Sequence, residues 1–160
     1  MKVKEQLQYM VNVNKTVAGR LLDDMTDEES LVLVDKIPNH IRWQAGHMVY
    51  SNGFALTQLG NNDQDWQKYG KTFGGGSEIA DDPSAYPPIA ELRETLYRFY
   101  DRELELLENI SDAELEKDVG DEGKPMPAWK RFSFMCMHDF YHAGQIMQIR
   151  RALGRARPFD

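Results

Sequence analysis

The chain has 160 residues, 41% of them hydrophobic and 28% charged, a composition that excludes a disordered tail, a collagen-like fibre and a disulfide scaffold. Nineteen Lys and Arg against 26 Asp and Glu leave a formal charge of −7, which repels phosphate backbones and anionic lipid and argues against duplex DNA binding. No apolar run approaches the roughly 18 residues needed to cross a bilayer, so the expected partner is a small molecule, with neither nucleic acid nor membrane.

One domain spanning 1–160 is the natural expectation for this length. The opening Met1 to Gln6 is charged and lacks the apolar block of a secretory signal. Cys136 is the single cysteine, so no internal disulfide can form, and a cytoplasmic location is expected. It sits in the apolar run Phe134 to Met137 and reads as a small buried hydrophobe, with Arg131 the one hint of thiolate activation.

In chain order, Leu7, Met10, Val11, Asn14, Val17, Ala18, Leu21, Leu22 and Met25 fall at alternating three–four spacing, the stripe of a first amphipathic helix. Thr26-Asp27-Glu28-Glu29 is a capping box that starts a new helical turn. Leu31 to Val34 has no partner strand and reads as a helix end or buried loop. With Asn39 as its N-cap, a second helix runs to about Leu59, directing Ile41, Trp43, His47, Tyr50, Phe54 and Gln58 inward.

Residues 60–87 form a long, glycine-rich connection with a short helical piece around Asp65 to Tyr69; a connection of this length can cover a site as a lid. Gly74-Gly75-Gly76 is no phosphate loop, lacking the Lys-Ser/Thr ending and a preceding strand. Pro88 opens a third helix with Ile89, Leu92, Leu96, Phe99, Glu103, Leu107 and Ile110 on one face. Ser111 to Glu114 is a second capping box, opening a short helix that ends near Gly120. The last long helix, from about Pro127 to Leu153, is apolar on most faces and is expected to be central and mostly buried. Four long helices and no credible strand pair predict an all-α four-helix bundle with a long crossover connection.

The scarce residues carry the chemistry. His138 and His142 lie at i and i+4 on one face of the last helix, where two imidazoles either satisfy each other in a core or chelate one metal ion. The glutamate of an H-E-x-x-H site is absent, since Asp139 follows His138, and Asp139 points about 100° away around the helix as a weak general-base candidate. His47, on the inward face with Trp43, Tyr50 and Phe54, is the third candidate ligand. His40, seven residues earlier, reads as a surface residue or one supporting a ligand. Three neutral imidazoles without a protein anion leave a divalent cation open to water or substrate. Zinc or nickel is the expected ion, and iron or copper also suits the donor set.

Trp43-Gln44-Ala45-Gly46-His47 and His138-Asp139-Phe140-Tyr141-His142-Ala143-Gly144-Gln145-Ile146 resemble the W-x-x-x-H and H-x-x-x-H-x-G-Q-I segments of the DinB/YfiT-like metalloprotein family. The resemblance covers nearly the whole chain and implies an up-down-down-up bundle with a divalent metal on His47, His138 and His142. Relatives include metal-dependent S-transferases that use bacillithiol or mycothiol, a mycothiol-dependent isomerase and glutathione-dependent enzymes, and a homodimer is expected by the same likeness. The leading expectation is a transferase that carries a low-molecular-weight thiol to an electrophilic small molecule. Arg131 or Arg150 would hold the thiol's carboxylate, and Tyr50, Tyr141 and Gln145 would line the pocket. The alternatives are a metal-dependent hydrolase and a non-catalytic metal-binding or dimerising bundle.

Overall fold

A computed structural model describes residues 2–120 and 123–159; the ends of the expected domain, Met1 and Asp160, lie outside the described residues. Seven α-helices follow in chain order among the described residues: α1 (Val3–Leu22), α2 (Asp27–Ser30), α3 (Ile41–Gln58), α4 (Gly70–Phe73), α5 (Ile89–Asn109), α6 (Asp112–Leu115) and α7 (Ala128–Ala152). The four long ones, α1, α3, α5 and α7, form a four-helix bundle. The Thr26/Glu29 and Ser111/Glu114 capping boxes form as the sequence predicts, each hydroxyl accepting from the N3 amide.

Polar contacts fix the helix directions. Lys4 at the start of α1 donates to the carbonyls of Glu108 and Ile110 at the end of α5, so these two run antiparallel. Asn14 reaches the Cys136 carbonyl and Arg150 reaches the Leu21 carbonyl, so α1 and α7 run parallel. Asp27 accepts from both Arg42 and the Ile89 amide, bringing the starts of α3 and α5 together, while Gln44 near the start of α3 meets His142 and Asn52 further along meets Asp139, so α3 and α7 run antiparallel. The sense is therefore up, down, down, up. Both α1 and α3 pack against α5 and α7, which places α1 and α3 on one diagonal of the bundle.

Since α3 and α5 are parallel, their connection must return along the bundle. It does so as a packed strap: a 3-10 turn at Asp65–Tyr69, α4, and the chain to Ile89. Gly53 and Gly46 on α3 let it approach, because a Cβ at either would lie 2.2 Å from Trp66 or 2.3 Å from Phe73. Trp43 Nε1 donates to Ser77 Oγ, whose hydroxyl donates to the Thr72 carbonyl. With Phe73 fully buried, this connection is fastened to α3 as part of the core.

Several expectations are corrected. A two-residue antiparallel ladder pairs Asp118–Val119 with Met126–Pro127, so the segment before α7 holds a strand pair after all, and α6 ends at Leu115. Leu31 caps α2 as the expected helix end, but Val32 to Val34 is a partly exposed loop and not a buried one, with Leu33 58% exposed. Helix α7 is not buried on most faces: Phe134, Met137, Phe140 and Tyr141 are exposed, because α1 and α3 are the long helices that pack along it. On α3, Gln44, Asn52 and Arg42 are buried while Tyr50, Phe54 and Gln58 are half-buried against the strap and helix end. The N-cap of α3 is His40, not Asn39: its Nδ1 accepts from the Trp43 amide at 2.9 Å.

Candidate metal centre

The antiparallel pair α3 and α7 brings the three predicted histidines together. His138 Nε2 lies 3.2 Å from His47 Nε2 and 3.2 Å from His142 Nε2, and one ligand atom from each residue falls within 4.8 Å of the others. Two nitrogens bound to one ion at 2.0–2.1 Å in tetrahedral geometry would stand about 3.3 Å apart.

The hydrogen-bond chemistry of these rings matches a cation. His47 Nδ1 faces the Phe73 carbonyl at 2.6 Å, an atom that only accepts, so the ring proton sits on Nδ1 and Nε2 presents a lone pair. His142 Nδ1 contacts Gln44 Oε1, with the same consequence. His138 Nε2 can donate to only one of these two bare nitrogens, so protons alone leave at least one pair of lone pairs opposed. A shared cation satisfies all three, and the residues present fit one.

Electrostatics hold the rings in the ligating state. Burial lowers the His142 pKa to about 3, with the neighbouring His138 and His47 adding to the effect. Burial also lowers that of His47, opposed by its bond to Phe73. Both are neutral at pH 7. Trp43 stacks on His47 with ring centres 4.8 Å apart and planes 10° from parallel, shielding one face of that imidazole. Phe134 lies over His138 and the edge of Tyr141 meets His142.

The remaining sequence candidates divide. Tyr141 is at the rim, 64% exposed. Tyr50 packs against Trp66, and Gln145 is half-buried one turn beyond His142. Arg131 stands two turns before His138, close enough to Gly120 that a Cβ there would lie 3.2 Å from its guanidinium. Arg150 is buried and engaged elsewhere: it donates to the Leu21 carbonyl and to both carboxylate oxygens of Asp24 at 2.5 and 3.0 Å, near the opposite end of α7 from Arg131. Its expected contact with a thiol's carboxylate is thereby corrected. The Cys136 thiol is buried and its pKa is pushed up, by burial first and then by Glu103 and Asp139. His40 is 2% exposed, not a surface residue, and its ring abuts Tyr86.

Three neighbours escaped sequence reasoning. Gln44 and the Phe73 carbonyl orient two of the histidines. Asp139, set aside as pointing away, is 2% exposed, with Oδ1 3.7 Å from His138 Nδ1. It accepts from Asn52 Nδ2 and from the Tyr100 hydroxyl. Burial raises its pKa, opposed by His138, Tyr100 and Asn52. Glu103 is buried nearby, its pKa raised well above the carboxylate range by burial and by Asp139. A polar residue on the inward face of an otherwise apolar stripe was the available signal for Gln44, Asp139 and Glu103 alike.

Among the described residues no helix is long and apolar enough to cross a membrane. The fold recurs in solved structures. A DinB-like protein from Bacillus cereus is 18% identical, with a TM-score of 0.73 over 95% of this chain and 93% of the other. A conserved protein from Enterococcus faecalis is also 18% identical, with a TM-score of 0.73 over 97% of this chain and 99% of the other. YfiT from Bacillus subtilis, described as "a probable metal-dependent hydrolase with an unusual four-helix bundle topology", is 14% identical, with a TM-score of 0.66 over 96% and 89%. No curated protein matches the chain. The family model of the DinB superfamily matches residues 16–146, which include all three histidines, and the chain belongs to that superfamily.

Proposed function

We propose that the chain is a metal-dependent enzyme in which His47, His138 and His142 hold a divalent ion and a nucleophile is delivered to an electrophilic small molecule. The observation that carries this reading is the convergence of three imidazoles, with His138 Nε2 3.2 Å from both His47 Nε2 and His142 Nε2 and the Nδ1 atoms of His47 and His142 turned outward to acceptors. Zinc or nickel suits the all-imidazole set, and iron or copper also fits it. When bound, such an ion acts as a Lewis acid that lowers the pKa of a thiol or water reaching it, undiminished by any protein anion in direct contact.

The protein's own groups prepare the site. Burial keeps His47 and His142 unprotonated, so no proton must be displaced from either at neutral pH. Phe73 and Gln44 fix their tautomers and ring angles. Tyr141 and Phe134, against His142 and His138, form an exposed apolar rim suited to the body of an organic substrate, with Tyr50 and Gln145 as further candidate contacts. The buried Cys136 does not supply the nucleophile, so sulfur chemistry here draws on an external thiol such as bacillithiol, mycothiol or glutathione. Arg131, on the same helix as His138 and His142, is the candidate contact for that thiol's carboxylate. A homodimer of this 1–160 domain in the cytoplasm belongs to the same reading.

Hydrolysis is the second reading, favoured by the description of the Bacillus subtilis structure. Turnover of a model electrophile with each thiol, with and without zinc or nickel, separates the two, with His142→Ala as the control. Thiol-dependent turnover above the metal-free rate supports transfer, and metal-dependent, thiol-independent turnover supports hydrolysis. A purified protein that holds no metal, with a melting temperature unmoved by added zinc or nickel, refutes both.

A further inference from the structure

His138 differs from the other two histidines in what its Nδ1 faces. His47 and His142 point theirs at neutral oxygens, a backbone carbonyl and an amide. The Nδ1 of His138 is buried without a hydrogen bond, and the Asp139 carboxylate stands 3.7 Å away.

That carboxylate is held from two other helices. Asn52 Nδ2 on α3 donates to Oδ1 at 3.1 Å and Oδ2 at 3.2 Å, and the Tyr100 hydroxyl on α5 donates to Oδ2 at 2.9 Å. Both oxygens thus serve as acceptors. Asp139 is itself 2% exposed on a face of α7 shared with Met135, Cys136 and Ile146, where a leucine would meet the packing requirement without desolvating a polar group. Packing therefore does not explain an acid there. Metal chemistry does: an imidazole that ligates through Nε2 carries its proton on Nδ1, and a carboxylate that accepts it fixes the ring and strengthens the ligand. An ordinary N–H···O hydrogen bond spans roughly 2.7–3.2 Å, so the pair has about 0.5 Å to close when an ion holds the ring.

Resting on the metal reading above, we propose that Asp139 is a positioning residue of the centre: clamped by Asn52 and Tyr100, it accepts the Nδ1–H hydrogen bond of His138 and aims Nε2 at the ion. Helix α5, which carries no ligand, enters the site through Tyr100.

The test measures zinc affinity by competition with a chromophoric chelator, and the visible spectrum of the cobalt(II)-loaded protein. It compares the wild type with Asp139→Asn, which keeps the shape and removes the charge, and Tyr100→Phe, which removes one clamp and leaves all ligands in place. Asp139→Asn is expected to bind zinc about 10- to 100-fold more weakly with an altered cobalt spectrum. Tyr100→Phe should move both readouts the same way by a smaller factor, and decides the matter alone if Asp139→Asn does not fold. If both variants melt earlier yet bind zinc as the wild type does, with an unchanged cobalt spectrum, Asp139 is only structural and the proposal is overturned. A wild type that binds neither ion overturns the metal reading instead.

Discussion

Acidification offers a metal-independent probe of the bundle through His40. Its Nδ1 accepts the cap hydrogen bond from the Trp43 amide, a role open only to the neutral ring, and the side chain is buried against Tyr86. Burial, with Arg42 nearby, lowers its pKa from the ordinary 6.5 to about 4. The unfolded chain therefore binds a proton that the folded chain refuses. Stability from this group is fully present above pH 6.5 and is lost as pH falls toward 4. At 1.36 kcal/mol per pH unit the complete loss is about 3 kcal/mol, of which about 2 kcal/mol is gone by pH 5. His40→Asn keeps a capping oxygen and removes the titration. Urea unfolding at pH 7 and pH 5, with a chelator present, gives a double difference in which the three site histidines and any cavity cost cancel. The wild type should lose about 2 kcal/mol more than His40→Asn over that interval. Equal losses in the two proteins would refute the reasoning that His40 is held neutral by burial.

Two helix glycines should behave oppositely. Gly46→Ala drives a Cβ to 2.3 Å from the buried Phe73 ring, whose carbonyl orients His47, so it should cost about 1–3 kcal/mol in denaturant unfolding and weaken zinc binding. Gly144→Ala meets nothing within 4 Å on the exposed side of α7 and should stabilise by about 0.5–1 kcal/mol in the same assay. Cys136→Ala removes a buried, protonated thiol outside the histidine cluster. Turnover should match the wild type while stability falls by about 1 kcal/mol, and loss of thiol transfer with the fold intact would restore Cys136 as a nucleophile.

Much of this was legible in the sequence because it is local or periodic. The three–four spacing locates the four long helices, and the two capping boxes act within four residues, so both survive into the structure. The histidines at 47, 138 and 142 were found because helical spacing sets which faces they occupy. What holds them was not visible. The acceptor for His47 is a backbone carbonyl in an aperiodic strap, placed by contacts of Trp66 and Phe73 with glycines far away in sequence. Gln44 was passed over because it lies off the stripe that runs through Trp43 and His47, and Asp139 because it points about 100° from His138, although burial gives both their importance. Arg150 shows the reverse error: a cation near a helix C-terminus was assigned to a substrate carboxylate, whereas Asp24 and the Leu21 carbonyl, more than 120 residues away in sequence, bind it.

The parallel run of α3 and α5 also sets a reach requirement on the chain between them. Eighteen residues of α3 rise about 27 Å, a span that roughly eight extended residues could cover. The segment from Leu59 to Pro88 is far longer than that, and its surplus is not slack. The part up to Phe73 is consumed in delivering one carbonyl oxygen to His47, whereas Gly75 and Gly76 follow it with open space where a Cβ would stand. Residues removed before Phe73 would therefore withdraw an atom from the centre, and just beyond it the Gly74–Ser77 turn returns the chain so that Ser77 meets both Trp43 and the Thr72 carbonyl.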